Sequence, residues 1–560
     1  MLSKFYKITL LFCLIIFNQN IVYSKSFNKK NAYNYFSALV SIEENQNDES
    51  LKFFNFSKEL KESHSTYINK YVFSLVLSKK VNKAINEIKT TKDNQFIDFF
   101  EAYLLLIIDS IKKNNYKEGL DYLKILKKYE NEDNYKFIVS NFLNEYLNLF
   151  QYKKIELNPD NDFGKMTLIN RTLQKCYLGH SDTETYFENL INYNNEVRDS
   201  RYLFFYANYL ISQNNHIKAK DIFNNVDPIN NSLFIAQSKK WIDEEKYETF
   251  KKIFSCNNSN DIIAEFLFII SNLYAGENEI ANSNFYFNLS NFLNPKFIFN
   301  SALLVDNYLQ EQDFVKAKKT LKNFTKENKI YYWYRVKKNA QIIFEEHNKD
   351  KSFKYIKTKF DEIKNPYLKT IYEMGNAVKG YEKYDLSIKY YSKVLSKLSS
   401  TSLIYADVLY RRGGSYERMG KTKKADEDLI KSLEINPDEP HVLNYLAYSW
   451  LERNYKIDSA MEMLKKAYNQ RKNDPYIIDS IGWAYYLMGD YKEAEKLLRK
   501  AVQIMPDDPI VNDHYGDILW KLGKKTQASY FWKNVLTFED TEKKMKEDIF
   551  YKLLKGPKNT

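Results

Sequence analysis

Apolar and polar residues alternate with a helical period along most of the chain, and short polar segments separate the apolar runs. Such a pattern predicts amphipathic helices joined by turns. Glycine and proline, which punctuate strands in all-β folds, number only 14 and 10 against 47 tyrosines and 38 phenylalanines. We therefore predict an all-α protein.

A longer period of about 34 residues is superimposed on the helical one. In the C-terminal third of the chain, two series of small residues recur at intervals of 34 or 35 residues. The first series is Gly413, Ala447, Gly482 and Gly516, and the second is Ala425, Ala460, Ala494 and Ala528. A period of this length, maintained over four units, predicts repeats that each consist of one pair of antiparallel helices.

The unit from Asp474 to Pro509 shows why small residues recur in this pattern. Gly482 and Ala494 are expected where the two helices of the pair cross, because a side chain larger than a methyl group would force the helices apart. Pro506 cannot continue a helix, so the second helix of the unit ends there.

The repeats become less regular towards the N-terminus. A fifth copy, around Gly375, precedes the regular units, and farther upstream the period persists only in scattered small residues such as Ser50, Ala84 and Gly119. We predict an α-solenoid, a superhelix of stacked antiparallel helix pairs, with about 14 repeats. The predicted segments are a signal peptide at 1–24, degenerate repeats at 25–365, well-formed repeats at 366–540, and a C-terminal capping helix and tail at 541–560.

These positions resemble the tetratricopeptide repeat (TPR) family, strongly over about 406–540 and weakly over about 30–365. The segments Asp479-Ser480-Ile481-Gly482-Trp483 and Asn512-Asp513-His514 are similar, more narrowly, to the last repeats of proteobacterial cell-envelope TPR proteins. That group includes outer-membrane lipoproteins that act as adaptors for carboxyl-terminal processing proteases. The resemblance implies a non-catalytic scaffold or adaptor of the cell envelope that binds a partner polypeptide, such as a periplasmic protease or an envelope-assembly factor.

In a superhelix of this kind, the first helix of each pair lines the concave face, which is the usual binding surface. Aromatic anchors beside Asn, Asp and Arg side chains there would grip a peptide by stacking and by hydrogen bonds. The candidate peptide-binding residues are Tyr410, Arg418, Asn444, Tyr448, Asp479, Trp483, Tyr486, Asp513, Asp517 and Trp520. The alternative interpretation is that the tryptophans pack against neighbouring helices and that the polar residues face water.

No catalytic motif is recognisable. The six histidines are dispersed without HExxH spacing, and no GxSxG, Walker or GxGxxG motif occurs. We predict that the protein is not an enzyme and that it needs no metal or cofactor. The alternative is a divergent envelope enzyme built on a helical superhelix, similar to a lytic transglycosylase, although no segment resembles its catalytic motif. The net charge of +12 is spread among acidic residues, so we expect no nucleic-acid partner.

The first residues indicate export. Lys4 and Lys7 accompany a short apolar run that ends at Phe17, the layout of a secretory signal, and cleavage is expected after Ser24. No stretch is long enough for a transmembrane helix. We predict a protein of the periplasm, or one associated with the outer membrane, in a Gram-negative bacterium. Cys13 lies inside the apolar run rather than in a lipobox, and lipidation and peripheral membrane association stay open.

The other two cysteines, Cys176 and Cys256, form no CxxC motif. His180 follows Cys176 by one helical turn, but two ligands alone make a weak metal site. We expect two buried free thiols, with a disulfide in an oxidising compartment as the alternative.

Overall fold

The computed structural model describes residues 29–155, 162–193, 201–539 and 541–557. Over these ranges the chain consists of α-helices, short 3-10 turns and connecting loops, and it contains no strand. The prediction of an all-α helical repeat protein is confirmed. The expected signal peptide lies outside the described residues, as does the segment 156–161 within a stretch of weak periodicity.

The chain divides into two compact units. The first unit comprises the described residues up to Val226 together with Asn231–Ile342, and the second comprises Asp227–Asn230 together with the residues from Ile343 onwards. The helices of the first unit are α1 Lys29–Glu43, α2 Asn47–Phe56, α3 Ser65–Leu77, α4 Val81–Thr90, α5 Phe100–Lys112, α6 Tyr116–Leu126, α7 Asn134–Tyr152, α8 Lys165–Leu178, α9 Thr183–Ile191, α10 Tyr202–Ser212, α11 His216–Asp221, α12 Leu233–Asp243, α13 Tyr247–Ile253, α14 Ser259–Gly276, α15 Ile280–Leu293, α16 Ser301–Gln310, α17 Phe314–Leu321 and α18 Lys329–Glu346, the helix in which this unit ends.

The second unit contains the regular repeats. Its helices are α19 Lys349–Asp361, α20 Leu368–Gly380, α21 Tyr384–Leu395, α22 Leu403–Arg418, α23 Thr422–Ile435, α24 Pro440–Glu452, α25 Ile457–Gln470, α26 Pro475–Leu487, α27 Tyr491–Ile504, α28 Pro509–Lys521, α29 Lys525–Thr537 and α30 Lys543–Lys555. Successive helices from α20 to α29 pack as antiparallel pairs, the first of each pair being an even-numbered helix.

Local sequence explains where these helices begin and end. Helices α26 and α28 begin at Pro475 and Pro509. Proline suits the first position of a helix, because the N–H group that it lacks would have no hydrogen-bond partner there. The carboxylates of Asp474 and Asp508 cap both helices by accepting hydrogen bonds from the next free N–H groups. Gly489 follows α26 with φ of +82°, a left-handed conformation that glycine adopts without strain.

The crossing points within the pairs are as close as the small residues predict. A Cβ atom at Gly482 would lie 2.9 Å from Cγ of Leu498, on the second helix of the same pair. A Cβ atom at Gly516 would overlap Nε1 of Trp532. The prediction of small residues where paired helices cross is therefore confirmed, and at these two positions even a methyl group would require the neighbouring side chain to move.

In the first unit, helices α14 and α15 also pack against helices that are remote in sequence. Phe285 of α15 stacks on Phe73 of α3, with 5.0 Å between the ring centroids. The Asn288 side chain donates a hydrogen bond of 3.0 Å to the carbonyl of Val76, a residue 212 positions earlier. Helix α14 contacts α5, α7 and α8 in a similar manner. These two helices therefore cover a face of the earlier repeats with apolar side chains.

A disulfide joins Cys176, in α8, to Cys256, just before α14, with an S–S distance of 2.05 Å. The expectation of two free thiols is wrong, because packing of α14 against α8 brings together two residues 80 positions apart. Cys176 is therefore not available as a metal ligand beside His180, whose Nδ1 lies 2.5 Å from the Asp182 carboxylate.

The first unit also contains a buried ion pair. Two guanidinium nitrogens of Arg201 donate to the two carboxylate oxygens of Glu265 at 2.8 and 2.7 Å. The guanidinium carbon lies 4.5 Å from the ring centroid of Phe268 and 4.8 Å from that of Phe297. Burial raises the pKa of Glu265, and the charge of Arg201 opposes this effect. The pair is held in an aromatic surrounding, where an unpaired charge would be costly.

Candidate functional site

The first helices of successive pairs in the second unit lie next to one another. Helix α26 contacts both α24 and α28 directly, in addition to its own partner α27. We call the surface formed by α22, α24, α26 and α28 the inner face. All ten candidate peptide-binding residues belong to these four helices.

An aromatic stack occupies the middle of the inner face. Trp483 lies between Tyr486 and His514, with centroid distances of 4.6 and 4.1 Å and ring planes within 10° of parallel. Tyr448, in the repeat before that of Trp483, approaches His514 with 6.2 Å between the ring centroids. Trp483 is 8% exposed, so most of its surface packs within the protein.

His514 and Asp479 form a buried ion pair beneath this stack. Nδ1 of His514 lies 2.9 and 3.1 Å from the two carboxylate oxygens of Asp479. Burial alone would lower the pKa of His514, but the charge and hydrogen bond of Asp479, with the charges of Asp513 and Glu452, outweigh it and raise this pKa to about 9. His514 is therefore an imidazolium at neutral pH.

Acidic side chains collect beside the aromatic stack. Asp513 and Asp517 of α28 both accept hydrogen bonds from Nζ of Lys552 in α30, at 2.6 and 2.8 Å. Asp517 also accepts a hydrogen bond of 3.1 Å from Nε1 of Trp532. Burial and the charge of Asp513 raise the pKa of Asp517, and Lys552 opposes them. The carboxylates of this pair therefore need a cation between them.

Helix α30 lies over this part of the inner face, and a cavity of about 380 Å³ remains beneath it. The cavity is lined by Glu452, Trp483, Tyr486, Asp513, His514 and Asp517 from the inner face, and by Glu542, Lys544, Met545, Asp548, Tyr551, Lys552 and Pro557 from the C-terminal segment. The cavity therefore has aromatic and acidic walls on the side of the repeats.

The other end of the inner face is cationic. Lys379 of α20 lies among Arg411 and Arg418 of α22; burial, reinforced by these two charges, lowers the pKa of Lys379 to about 8. The ring of Tyr410 packs edge-on against that of Tyr445, with 5.8 Å between the centroids. The α22 end of the inner face thus carries two arginines, one of them paired with Asp407, whereas Glu452, Asp513 and Asp517 line the cavity at the α24–α28 end.

The structure brings six of the candidate residues into one group and leaves the others apart. Tyr448, Asp479, Trp483, Tyr486, Asp513 and Asp517 either line the cavity or contact His514, which does. Trp520 packs against Gly556 after α30, where a Cβ atom would lie 2.6 Å from the indole. Tyr410, Arg418 and Asn444 lie outside the cavity lining.

The other residues that line the cavity were not predicted from the sequence, among them His514, Glu452 and Lys552. His514 could have been found, because it follows Asp479 by 35 residues and positions one period apart become neighbours on adjacent first helices. Lys552 belongs to no repeat, so the period contains no information about its position.

Antiparallel helix pairs at a constant spacing, with their first helices aligned on one face, define an α-helical repeat protein whose surface suits polypeptide binding. Residues 308–541 match the family model described as tetratricopeptide repeat. Residues 308–541 therefore carry tetratricopeptide repeats, as the resemblance predicts. Among the residues that the structure describes, no helix has the length and apolar character needed to cross a membrane.

Individual relatives match only parts of the chain. The TPR repeat-containing protein PA4667 of Pseudomonas aeruginosa is 32% identical over 111 residues, 20% of this chain and 19% of that protein. The match therefore spans about a fifth of this curated relative's length. TTC0263, a TPR protein of Thermus thermophilus, is 17% identical and covers 33% of this chain and 99% of its own, with a TM-score of 0.29.

A TPR protein of Parabacteroides merdae is likewise 17% identical, covers 40% of this chain and 85% of its own, and has a TM-score of 0.32. At these TM-scores, the likeness to solved structures carries no argument about the function of this chain.

Proposed function

We propose that the chain is an adaptor of the bacterial cell envelope that binds a partner polypeptide on the inner face of its second unit. TPR proteins are protein–protein interaction scaffolds, and the observation that carries the more specific proposal is the cavity beneath α30. It combines the Tyr486–Trp483–His514 stack with the carboxylates of Glu452, Asp513 and Asp517. Aromatic anchors beside fixed charges are typical of the centres of protein interfaces.

The charged groups around the cavity support the choice of this surface. They include the carboxylates of Glu452, Asp513 and Asp517 and the imidazolium of His514. Such groups are costly to bury without partners, and a polypeptide ligand would supply them.

The Cys176–Cys256 disulfide supports the envelope location, because disulfides persist in oxidising compartments and are rare in the cytosol. The secretory layout of residues 1–24 points the same way. We infer that the partner is an exported protein, such as a periplasmic protease or an envelope-assembly factor, which the adaptor brings together with other polypeptides.

Site-specific photo-cross-linking tests this proposal. A benzophenone amino acid is placed at Glu452, an exposed residue that lines the cavity, or at Glu462, an exposed residue on the second helix α25 as the matched control. Cross-linking is performed in cells of the source organism. A single partner attached at position 452 and absent at position 462 is the expected result. Equal labelling at both positions, or labelling at neither, would contradict an inner-face binding site.

A further inference from the structure

Helix α30 lies on the inner face much as a bound peptide would. Lys552, near its C-terminal end, forms ion pairs with Asp513 and Asp517 of α28. Glu542, just before its first residue, lies 3.8 Å from Arg418 of α22. Gly556, just after it, packs against the indole of Trp520 with φ of +80°. The segment from Glu542 to Gly556 thus contacts residues at both the cationic and the acidic ends of the inner face.

Ion pairs and a small apolar contact hold α30 in place. Of the 13 residues of α30, Ile549 alone is buried, and Met545 and Leu553 pack partly buried against the same core. Phe550 is 57% exposed and Leu554 is 84% exposed, so apolar side chains of this helix point into solvent. In contrast, α15 buries ten of its 14 residues, including Phe285 and Leu289. Since apolar burial supplies most of the free energy of packing, α30 is attached less firmly than α15.

The inner face beneath α30 carries an excess of negative charge. Asp479 is balanced by the imidazolium of His514, whereas Asp513, Asp517 and Glu452 depend on other cations. Lys552 supplies one such cation and does not fill the cavity. Carboxylates beside the rings of Trp483 and Tyr486, which line the cavity, form a surface that attracts a basic side chain by charge and by the aromatic ring. The complementary ligand is therefore an amphipathic helix that carries lysine.

We propose that α30 is an intramolecular ligand of the inner face, and that the partner binds by inserting a lysine-bearing amphipathic helix in its place. The inference rests on the proposed function, because it concerns the same surface, and it adds the chemistry of the partner and a competition that controls access. In the resting chain, the site is open only for the fraction of time that α30 is detached. The apparent dissociation constant of the partner is therefore the intrinsic constant divided by that fraction.

The test uses a fluorescein-labelled peptide of residues 541–557 as the probe and the full-length mature chain as the receptor. Lys552→Ala removes the cation of α30, while Gly556→Ala places a Cβ atom against the Trp520 ring and leaves every charge in place. Leu554→Ala, at a highly exposed position of the same helix, is the matched control. Fluorescence anisotropy gives the dissociation constants.

Both release variants should bind the probe at least tenfold more tightly than the wild type and the Leu554→Ala control, which should be equal. A probe peptide that itself carries Lys552→Ala should bind each release variant at least tenfold more weakly. Hydrogen exchange of residues 543–555 should accelerate in both variants while that of α26 and α28 remains unchanged, which excludes general unfolding as the cause.

Equal affinity of the wild type and both release variants, with unchanged exchange in α30, would overturn the proposal and identify α30 as a permanent cap. Dimerisation of the release variants in sedimentation velocity would also overturn it, because the occupant would then be a second copy of this chain. The cross-link at position 452 separates this inference from the proposed function. A cross-link abolished by excess probe peptide supports the competition, whereas one that persists overturns it and leaves the adaptor function intact.

Discussion

The charged state of His514 should make the stability of the second unit depend on pH. The folded protein has a His514 pKa of about 9, and an unfolded chain has the ordinary value of about 6.5. Because the folded value is higher, the ion pair with Asp479 contributes fully below about pH 6.5, and its contribution is lost as the pH rises through about 9. A difference of this size between the two pKa values corresponds to about 3 kcal/mol.

Urea unfolding, followed by tryptophan fluorescence from pH 6 to pH 9.5, measures this contribution when wild type is compared with His514→Asn. The comparison is needed because the titration of Lys379 changes the stability in the opposite direction. The pKa of Lys379 is lowered to about 8 in the folded protein, so this residue increases the free energy of unfolding as the pH rises from about 8 towards the higher pKa of Lys379 in the unfolded chain. Both proteins contain Lys379, and the difference between them isolates His514.

The difference in free energy of unfolding between wild type and His514→Asn should fall by about 3 kcal/mol between pH 6.5 and pH 9.5. His347→Asn, at an exposed position, should follow the wild type at every pH. A difference that stays constant to within about 0.5 kcal/mol would refute the assignment of a buried imidazolium. An imidazole signal of His514 that titrates near pH 6.5 in nuclear magnetic resonance spectra would refute it directly.

Three further predictions concern packing in both units. Gly516→Ala should lower the free energy of unfolding by about 3 kcal/mol, because the new methyl group would meet the buried indole of Trp532. Gly489→Ala, where the space is open and only the left-handed backbone is unfavourable, should lower it by about 1 kcal/mol. Equal urea midpoints for these two variants would contradict this account. Cys256→Ser should destabilise the first unit by about 4.5 kcal/mol in the chain-entropy model for an 80-residue loop, and calorimetry should give the same melting temperature for this variant and for reduced wild type. Glu265→Gln should lower the free energy of unfolding by about 3 to 5 kcal/mol, because it leaves the Arg201 cation buried and without its counter-charge. The double variant Arg201→Met, Glu265→Leu should recover most of that loss in urea unfolding. A double variant no more stable than the single one would show that the unpaired charge is not the cause.

The repeat signature predicted the local structure of the second unit. Helix α27 ends at Ile504, just before Pro506, and the glycines at 482 and 516 lie at helix crossings. Each of these features depends on residues within one repeat, where backbone geometry relates sequence spacing directly to distance. In the first unit the small residues are less regular, and the period there indicated helix pairs without giving their boundaries.

The candidate site was predicted as a set of positions and not as a set of contacts. Phase in the repeat assigned Trp483 and Tyr486 to a first helix, and both do belong to α26. That Trp483 stacks on His514, and that its surface is mostly buried, depends on the angle between α26 and α28. Whether these residues bind a peptide stays a prediction for the cross-linking experiment.

By itself, the sequence determined that the chain forms antiparallel helix pairs, where the pairs repeat, and which helices share a face. Only the tertiary structure decided that α15 packs on α3, that Cys176 meets Cys256, and that Lys552 reaches Asp513 and Asp517. Contacts within a pair are set by a fixed helical geometry, and the 34-residue period records them. Contacts between distant repeats depend on small rotations between successive pairs, which accumulate along the stack and which no periodic pattern of residues specifies.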